Sequence, residues 1–145
     1  MSSRVENIDE RISELCALGD ELAAKEDFEG ALKLFQQALE LIPAPADSHP
    51  AALWVCTAIG DMYFHLGRHR EGRDALRSAV RLPDGLGNPF VHLRLGQCEF
   101  ELGSRERAAD ELARAYMGGG DEIFEEDDEK YLRFVKSLLL PPQDA

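Results

Sequence analysis

The sequence predicts an all-α chain: an α-solenoid of three helix–turn–helix units closed by one capping helix. Three observations predict it. An aliphatic residue followed by glycine recurs as Leu18-Gly19, Ile59-Gly60 and Leu95-Gly96. Each glycine is followed, after the same interval, by a small residue: Ala31, Gly72 or Ala108. Four residues on comes Phe35, Leu76 or Leu112, and then Ala38, Ala79 or Ala115. One such unit cannot bury its apolar face alone, so neighbours stack, and stacked units usually hold another chain.

The first unit spans about 12–45 and carries Leu15, Leu18, Gly19, Leu22, Phe28, Ala31, Phe35, Ala38 and Pro43. Glycine in a helix interior costs about 1 kcal/mol relative to alanine. Gly19, Gly60 and Gly96 therefore imply a close approach by the second helix of each unit, with large residues filling the space on either side. The second unit, about 53–86, carries Cys56, Ile59, Gly60, Tyr63, Gly72, Leu76, Ala79 and Pro83. Between them lies Ala44-Pro45-Ala46-Asp47-Ser48-His49-Pro50, a proline-broken polar stretch expected to be loop. The third unit, about 89–122, carries His92, Leu95, Gly96, Glu99, Ala108, Leu112 and Ala115. Asn88 before Pro89 reads as an N-cap with proline at the first helical position. Gly118-Gly119-Gly120 ends this unit. Tyr131, Leu132, Phe134, Val135, Leu138 and Leu139 then recur at helical spacing, which predicts a capping helix over 129–139. Leu138-Leu139-Leu140 before Pro141-Pro142 is expected to end it.

These residues resemble the tetratricopeptide repeat, whose signature is W-x2-L-G-x2-Y, then A-x3-F, then P. The resemblance implies a right-handed superhelix of paired helices. The glycines stand 41 and 36 residues apart, against a repeat of 34, so the period is not strict. Two stretches are more specific: Gly87 to Gln97, and Ala115 to Gly120 continuing through Ile123-Phe124 to Tyr131-Leu132. They resemble short bacterial tetratricopeptide proteins, mostly of unassigned function. Some of that group sit beside polymorphic toxin genes, which would imply an immunity role.

At 145 residues the chain is expected to be one domain, 1–145. Met1 to Arg11 is polar and charged, so no secretory leader is expected, and no apolar run approaches the ~20 residues that cross a bilayer. A cytoplasmic location is therefore expected. Cys16, Cys56 and Cys98 have no CxxC or paired-histidine context, so they read as buried packing rather than disulfide or zinc sites. No cofactor or metal is expected. The net charge is −12, distributed as −6 over 1–45, 0 over 46–88, −1 over 89–117 and −5 over 118–145. That balance argues against nucleic acid, which needs a basic face, and favours a basic partner.

Each first helix has two sides at about 100° per residue. One side packs. The other carries the positions −6, −3, +1, +4 and +5 from the glycine, which in proteins resembling this one line the concave groove. Unit one places Ser13, Cys16, Asp20, Ala23 and Ala24 there. Unit two places Trp54, Thr57, Asp61, Phe64 and His65, and unit three Phe90, Leu93, Gln97, Phe100 and Glu101, with Arg94 adjacent. Four of the chain's eleven aromatic residues thus converge on one face. Aromatic anchors with a few polar groups suit a peptide-binding groove. Two other readings remain: the aromatics pack on each other, or they receive the chain's own terminal helix.

Asp61 and His65, with Thr57 a turn earlier, have the skeleton of acid–base chemistry but no oxyanion context. We therefore expect no enzyme. His49, His69 and His92 form no cluster in the sequence. Arg70, Arg73, Arg77 and Arg81 make one stripe down the second helix of unit two, either a solvated convex face or a dock for an acidic segment. Asp121 to Glu129 holds seven carboxylates in nine residues and reads as a solvated leader to the capping helix. Its contact with the stripe of a second molecule would give a weak, salt-sensitive homo-oligomer.

The expected function is a non-catalytic interaction module that binds a protein or peptide through the concave groove. The alternative is a dedicated antagonist, immunity protein or chaperone for one secreted toxin or effector. Acidic three-repeat chaperones of type III secretion are similar in size and repeat count.

Overall fold

A computed structural model describes residues 2–139, with side chains from Asn7 onward. The expected helix end at Leu140-Pro141-Pro142 lies outside the described residues. Seven α-helices make up the described chain: α1 Ser2–Ala24, α2 Phe28–Leu41, α3 Ala52–His65, α4 His69–Arg81, α5 Pro89–Glu101, α6 Arg105–Gly119 and α7 Glu129–Leu139. No strand occurs among the described residues, and no described helix is long and apolar enough to cross a membrane. The helices pair as α1/α2, α3/α4 and α5/α6, each pair stacks on the next, and α7 lies against the end of the last pair.

The glycines do what their position implies. A Cβ on Gly19 would stand 2.7 Å from Phe35 Cε1, and one on Gly96 2.7 Å from Leu112 Cγ. One on Gly60 would collide with Leu76. The partners Phe35, Leu76 and Leu112 are themselves buried to within 1%. The turn inside each pair is also repeated. Asp27 N, Arg68 N and Ser104 N donate to the carbonyls of Leu22, Tyr63 and Glu99 at 2.8, 2.9 and 2.9 Å. That geometry needs a left-handed residue, supplied by Gly67 (φ +74°) and Gly103 (φ +82°) but by Glu26 (φ +63°) in the first pair. Asn88 caps α5 as expected, accepting from the N–H groups of Phe90 and Val91.

Four details differ from the sequence reading. Helix α1 begins about ten residues before the first unit, because Ile8 packs on the first core cluster and Asp9 meets His49 Nε2 at 3.0 Å. The Ala44–Pro50 stretch contains a 3₁₀ turn, Ala46–Ser48, closed by Ser48 Oγ on the Pro45 carbonyl. Leu18 is 46% exposed although Ile59 and Leu95 are buried. Ile59 packs against α2 and Leu95 against α4, and the described chain has no helix pair before α1 to cover Leu18. Finally, the acidic run keeps six of its seven carboxylates exposed, as expected of a solvated leader, but it is also anchored to the core. Asp121–Phe124 forms a 3₁₀ turn whose Phe124 is buried in the last core cluster with Leu93, Leu112, Tyr131 and Val135.

Candidate functional site

The concave positions divide into an open half on α1 and α3 and a covered half on α5. In the open half, Ser13, Asp20 and Ala24 are exposed on α1. Trp54, at the start of α3, is 49% exposed. Thr57 is spent locally: its hydroxyl donates to the Leu53 carbonyl at 2.7 Å. His65 stacks on Phe28 with ring centroids 4.6 Å apart and holds Asp61 Oδ1 at 3.2 Å.

The covered half centres on Arg94. Its guanidinium lies between the rings of Phe64 and Phe90, 4.8 and 4.9 Å from their centroids. Nε donates to Asp61 at 2.6 Å, and Nη1 donates to Gln97 Oε1 at 2.8 Å and to Asp127 Oδ2 at 2.9 Å. Gln97 Nε2 donates to the same Asp127 oxygen at 2.9 Å. A charge this deep is tolerated only when fully paired. Burial works against the charged form of Arg94, but Asp61 and Asp127 outweigh it and raise its proton affinity. Burial likewise pushes the Asp61 carboxyl up, yet the His65 hydrogen bond and the Arg94 charge hold it below the usual carboxylate range.

Further along α5, Phe100 sits edge-on to Tyr131 and Phe134, centroids 5.4 and 5.1 Å away. Glu101 takes Lys130 Nζ at 2.9 Å and the Tyr131 hydroxyl at 3.0 Å. Burial raises the Glu101 carboxyl, but these two donors bring it below its ordinary value. The Tyr131 phenol is pushed up, first by burial and then by donating to Glu101. Thus Phe64, Phe90, Arg94, Gln97, Phe100 and Glu101 are engaged by the chain itself, chiefly by residues 121–139.

The arginine stripe is also divided. Arg77 Nη2 reaches the buried Glu99 carboxylate at 3.3 Å and Arg73 Nε approaches it at 3.9 Å, so two of the four turn inward rather than face solvent. Arg70 and Arg81 are exposed. Arg77 and Arg81 border a cavity of about 540 Å³ between α4 and α6, floored by Val80 and Leu95. His92, silent in the sequence, is buried: Nε2 accepts from the Gly87 N–H at 2.9 Å and Nδ1 contacts Glu111 at 2.5 Å. Burial pushes the Cys16 thiol up to about 11 and Cys98 to about 12, away from nucleophilic use. Among the described residues no group of three metal-ligating side chains occurs.

Sequence reasoning missed Asp127 as the partner of Arg94. A signal was present: Arg94 is the one cation among the fifteen concave positions and their neighbour, and a carboxylate-rich run follows, with Asp127 33 residues on.

Paired helices with a small-residue seam, stacked three times over a concave face, define a helical-repeat interaction scaffold. The chain belongs to the tetratricopeptide repeat family, whose model matches residues 12–84, just over half of its length. The fold is similar to the Sgt2 TPR domain from Aspergillus fumigatus, with TM-score 0.67 and 19% identity over 92% of this chain and 87% of that one. It is also similar to the first TPR of Spaghetti (RPAP3) bound to the HSP90 peptide SRMEEVD, with TM-score 0.68 and 17% identity over 89% of this chain and 94% of that one. A crystal structure of MamA gives TM-score 0.63 at 18% identity, covering 90% of this chain and 74% of that one. No curated protein matches the sequence.

Proposed function

We propose that the protein is a non-catalytic interaction module that holds a basic peptide, or a basic segment of another protein, on the concave side of α1 and α3. One observation carries this. Trp54, the chain's single tryptophan, stands half exposed at a concave position with no ring or cation stacked on it among the described residues. Tryptophan is the residue most often found at the energetic centre of an interface. Family membership supports the reading, because stacked units of this kind commonly hold other chains. The peptide SRMEEVD held by the RPAP3 repeat is acidic at its end. Here the open face offers Asp20 instead, in a chain of net charge −12, so the complementary partner is cationic. A bacterial, cytoplasmic setting is part of this reading.

Trp54 is also its own probe. Titration with a lysine- and arginine-rich octapeptide should shift the tryptophan emission saturably, with a micromolar Kd that weakens in Asp20→Asn. A glutamate-rich octapeptide should leave the emission unchanged. If neither peptide moves it, the open face is not the site. The net charge also fits a dedicated antagonist or chaperone of one basic secreted protein. A single partner from the native lysate, bound at nanomolar strength and lost in Trp54→Ala, would select that reading.

A further inference from the structure

The cavity between α4 and α6 lies on the second helices of the pairs, away from the concave positions, and the binding of a partner in the groove does not use it. Its volume of about 540 Å³ falls within the range of small-ligand sites, roughly 300–1,000 Å³. Its wall includes a carboxylate whose hydrogen bonding is incomplete. The Glu99 side chain is 2% exposed, yet its two oxygens accept from a single atom, Arg77 Nη2, at 3.3 and 3.5 Å. Arg73 Nε stands 3.9 Å away, beyond hydrogen-bond reach, and donates to Asp74 instead. An ionised carboxylate has about four acceptor sites, and burial penalises those left empty. The cavity is the space from which a further donor can reach them. Glu111 and Asp110, on the same wall, are already engaged by His92 and Arg114. Arg81 is the reverse case: it is exposed at the cavity and forms no ion pair among the described residues. It stands one helical turn, about 6 Å, beyond Arg77. Val80 and Leu95 add apolar surface. The wall as a whole carries four carboxylates against three arginines, a near balance that suits a ligand of no net charge better than an ion of either sign.

We propose that this cavity is a second binding site and takes a small zwitterion with an apolar body: a dipeptide of aliphatic residues, with its ammonium group on Glu99 and its carboxylate on Arg81. An extended dipeptide separates its charged ends by about 7 Å at most. That matches the turn between Arg77, which holds Glu99, and Arg81. The ammonium supplies the donors Glu99 lacks, the carboxylate supplies the partner Arg81 lacks, and the side chains lie on Val80 and Leu95. The site goes beyond the reading of the concave face and stands without it.

Leucyl-leucine is the probe, titrated into the full isotope-labelled chain and followed by amide chemical shifts. Shifts over 77–81, 95–99 and 106–111 should saturate together, with a Kd below about 1 mM. Acetylating the dipeptide removes its ammonium charge, and amidating it removes its carboxylate; each change should weaken binding by about tenfold or more. Glu99→Gln should weaken leucyl-leucine by about tenfold but the acetylated form by less than about twofold, because that form has already lost the contact. Arg81→Ala should stand in the same relation to the amidated form. The blocked dipeptides are tested on the wild-type chain, so a failure of Glu99→Gln to fold leaves the comparison intact. No saturable shift up to about 10 mM leucyl-leucine would overturn the site. Equal binding of the parent and blocked dipeptides, or shifts confined to α1 and α3, would overturn it as well. A failed octapeptide titration at Trp54 beside saturable shifts over 77–81 and 95–99 would sink the reading of the open face and leave this site standing.

Discussion

The same structural position has opposite fates in the two halves of the groove. Trp54 and Phe90 both stand six residues before their glycine, yet Trp54 is half exposed while Phe90 is roofed by the Arg94 guanidinium. Asp61 and Gln97 both stand one residue after it, and Gln97 is fully buried. The difference lies not in α3 and α5 themselves but in the elements that succeed each pair along the chain. The second pair is continued by another pair, which stacks beside it. The third is continued by a short acidic connection and α7, which fold across its concave face. A repeat position therefore sets where a side chain points, and the end of the array sets whether that side chain meets solvent.

The largest test of this contrast is Arg94→Ala. It would leave Asp61 and Asp127 buried without their cation, costing about 3–5 kcal/mol in urea denaturation. Arg94→Ala and Asp127→Asn together should cost clearly less than the sum of the two, since both remove the same contact. Phe100→Ala comes next. It deletes a partly buried ring wedged against Tyr131 and Phe134 and should cost about 2–3 kcal/mol. Were Phe100 an open groove residue, one of the readings the sequence leaves, the loss would fall within about 0.5 kcal/mol.

Acid should loosen the covered half first. Asp61 and Glu101 bind protons less readily in the folded chain than in the unfolded one. Their contribution is therefore present above the ordinary carboxylate range, roughly pH 4, and is lost as the pH falls through the lower folded values. Urea midpoints measured from pH 6 to pH 3 should show that fall, and Glu101→Gln should flatten part of it. A midpoint that rises as pH falls would contradict the hydrogen bonds from Lys130 and Tyr131. The smallest effect belongs to the open half: Trp54→Ala should change stability by less than about 0.5 kcal/mol while abolishing the peptide-dependent signal. A loss above about 2 kcal/mol would make Trp54 a packing residue.

Local pattern carried most of the fold. The three glycines, their small partners and the Asn88-Pro89 cap are rules about neighbours within one helix pair, and such rules are written at fixed spacings. Even there Glu26 takes a left-handed turn position that composition would assign to glycine, because the surrounding hydrogen bonds impose it. The groove was legible as positions: helical periodicity alone put Trp54, Phe64, Phe90 and Phe100 on one side. It was not legible as exposure. Periodicity records direction from a helix axis, whereas burial depends on distant chain, and Asp127 reaches Arg94 across 33 residues of sequence. In the acidic run, six carboxylates stay solvated or paired at the surface, and nothing local marks the seventh as the one that turns inward. By itself the sequence determined the helices, their pairing and the face they share. Only the tertiary structure decided that Arg73 and Arg77 turn in to Glu99 and that half of the face is covered. The reason is electrostatic: a buried charge needs a specific partner at hydrogen-bond distance, and folding, not spacing, brings that partner in.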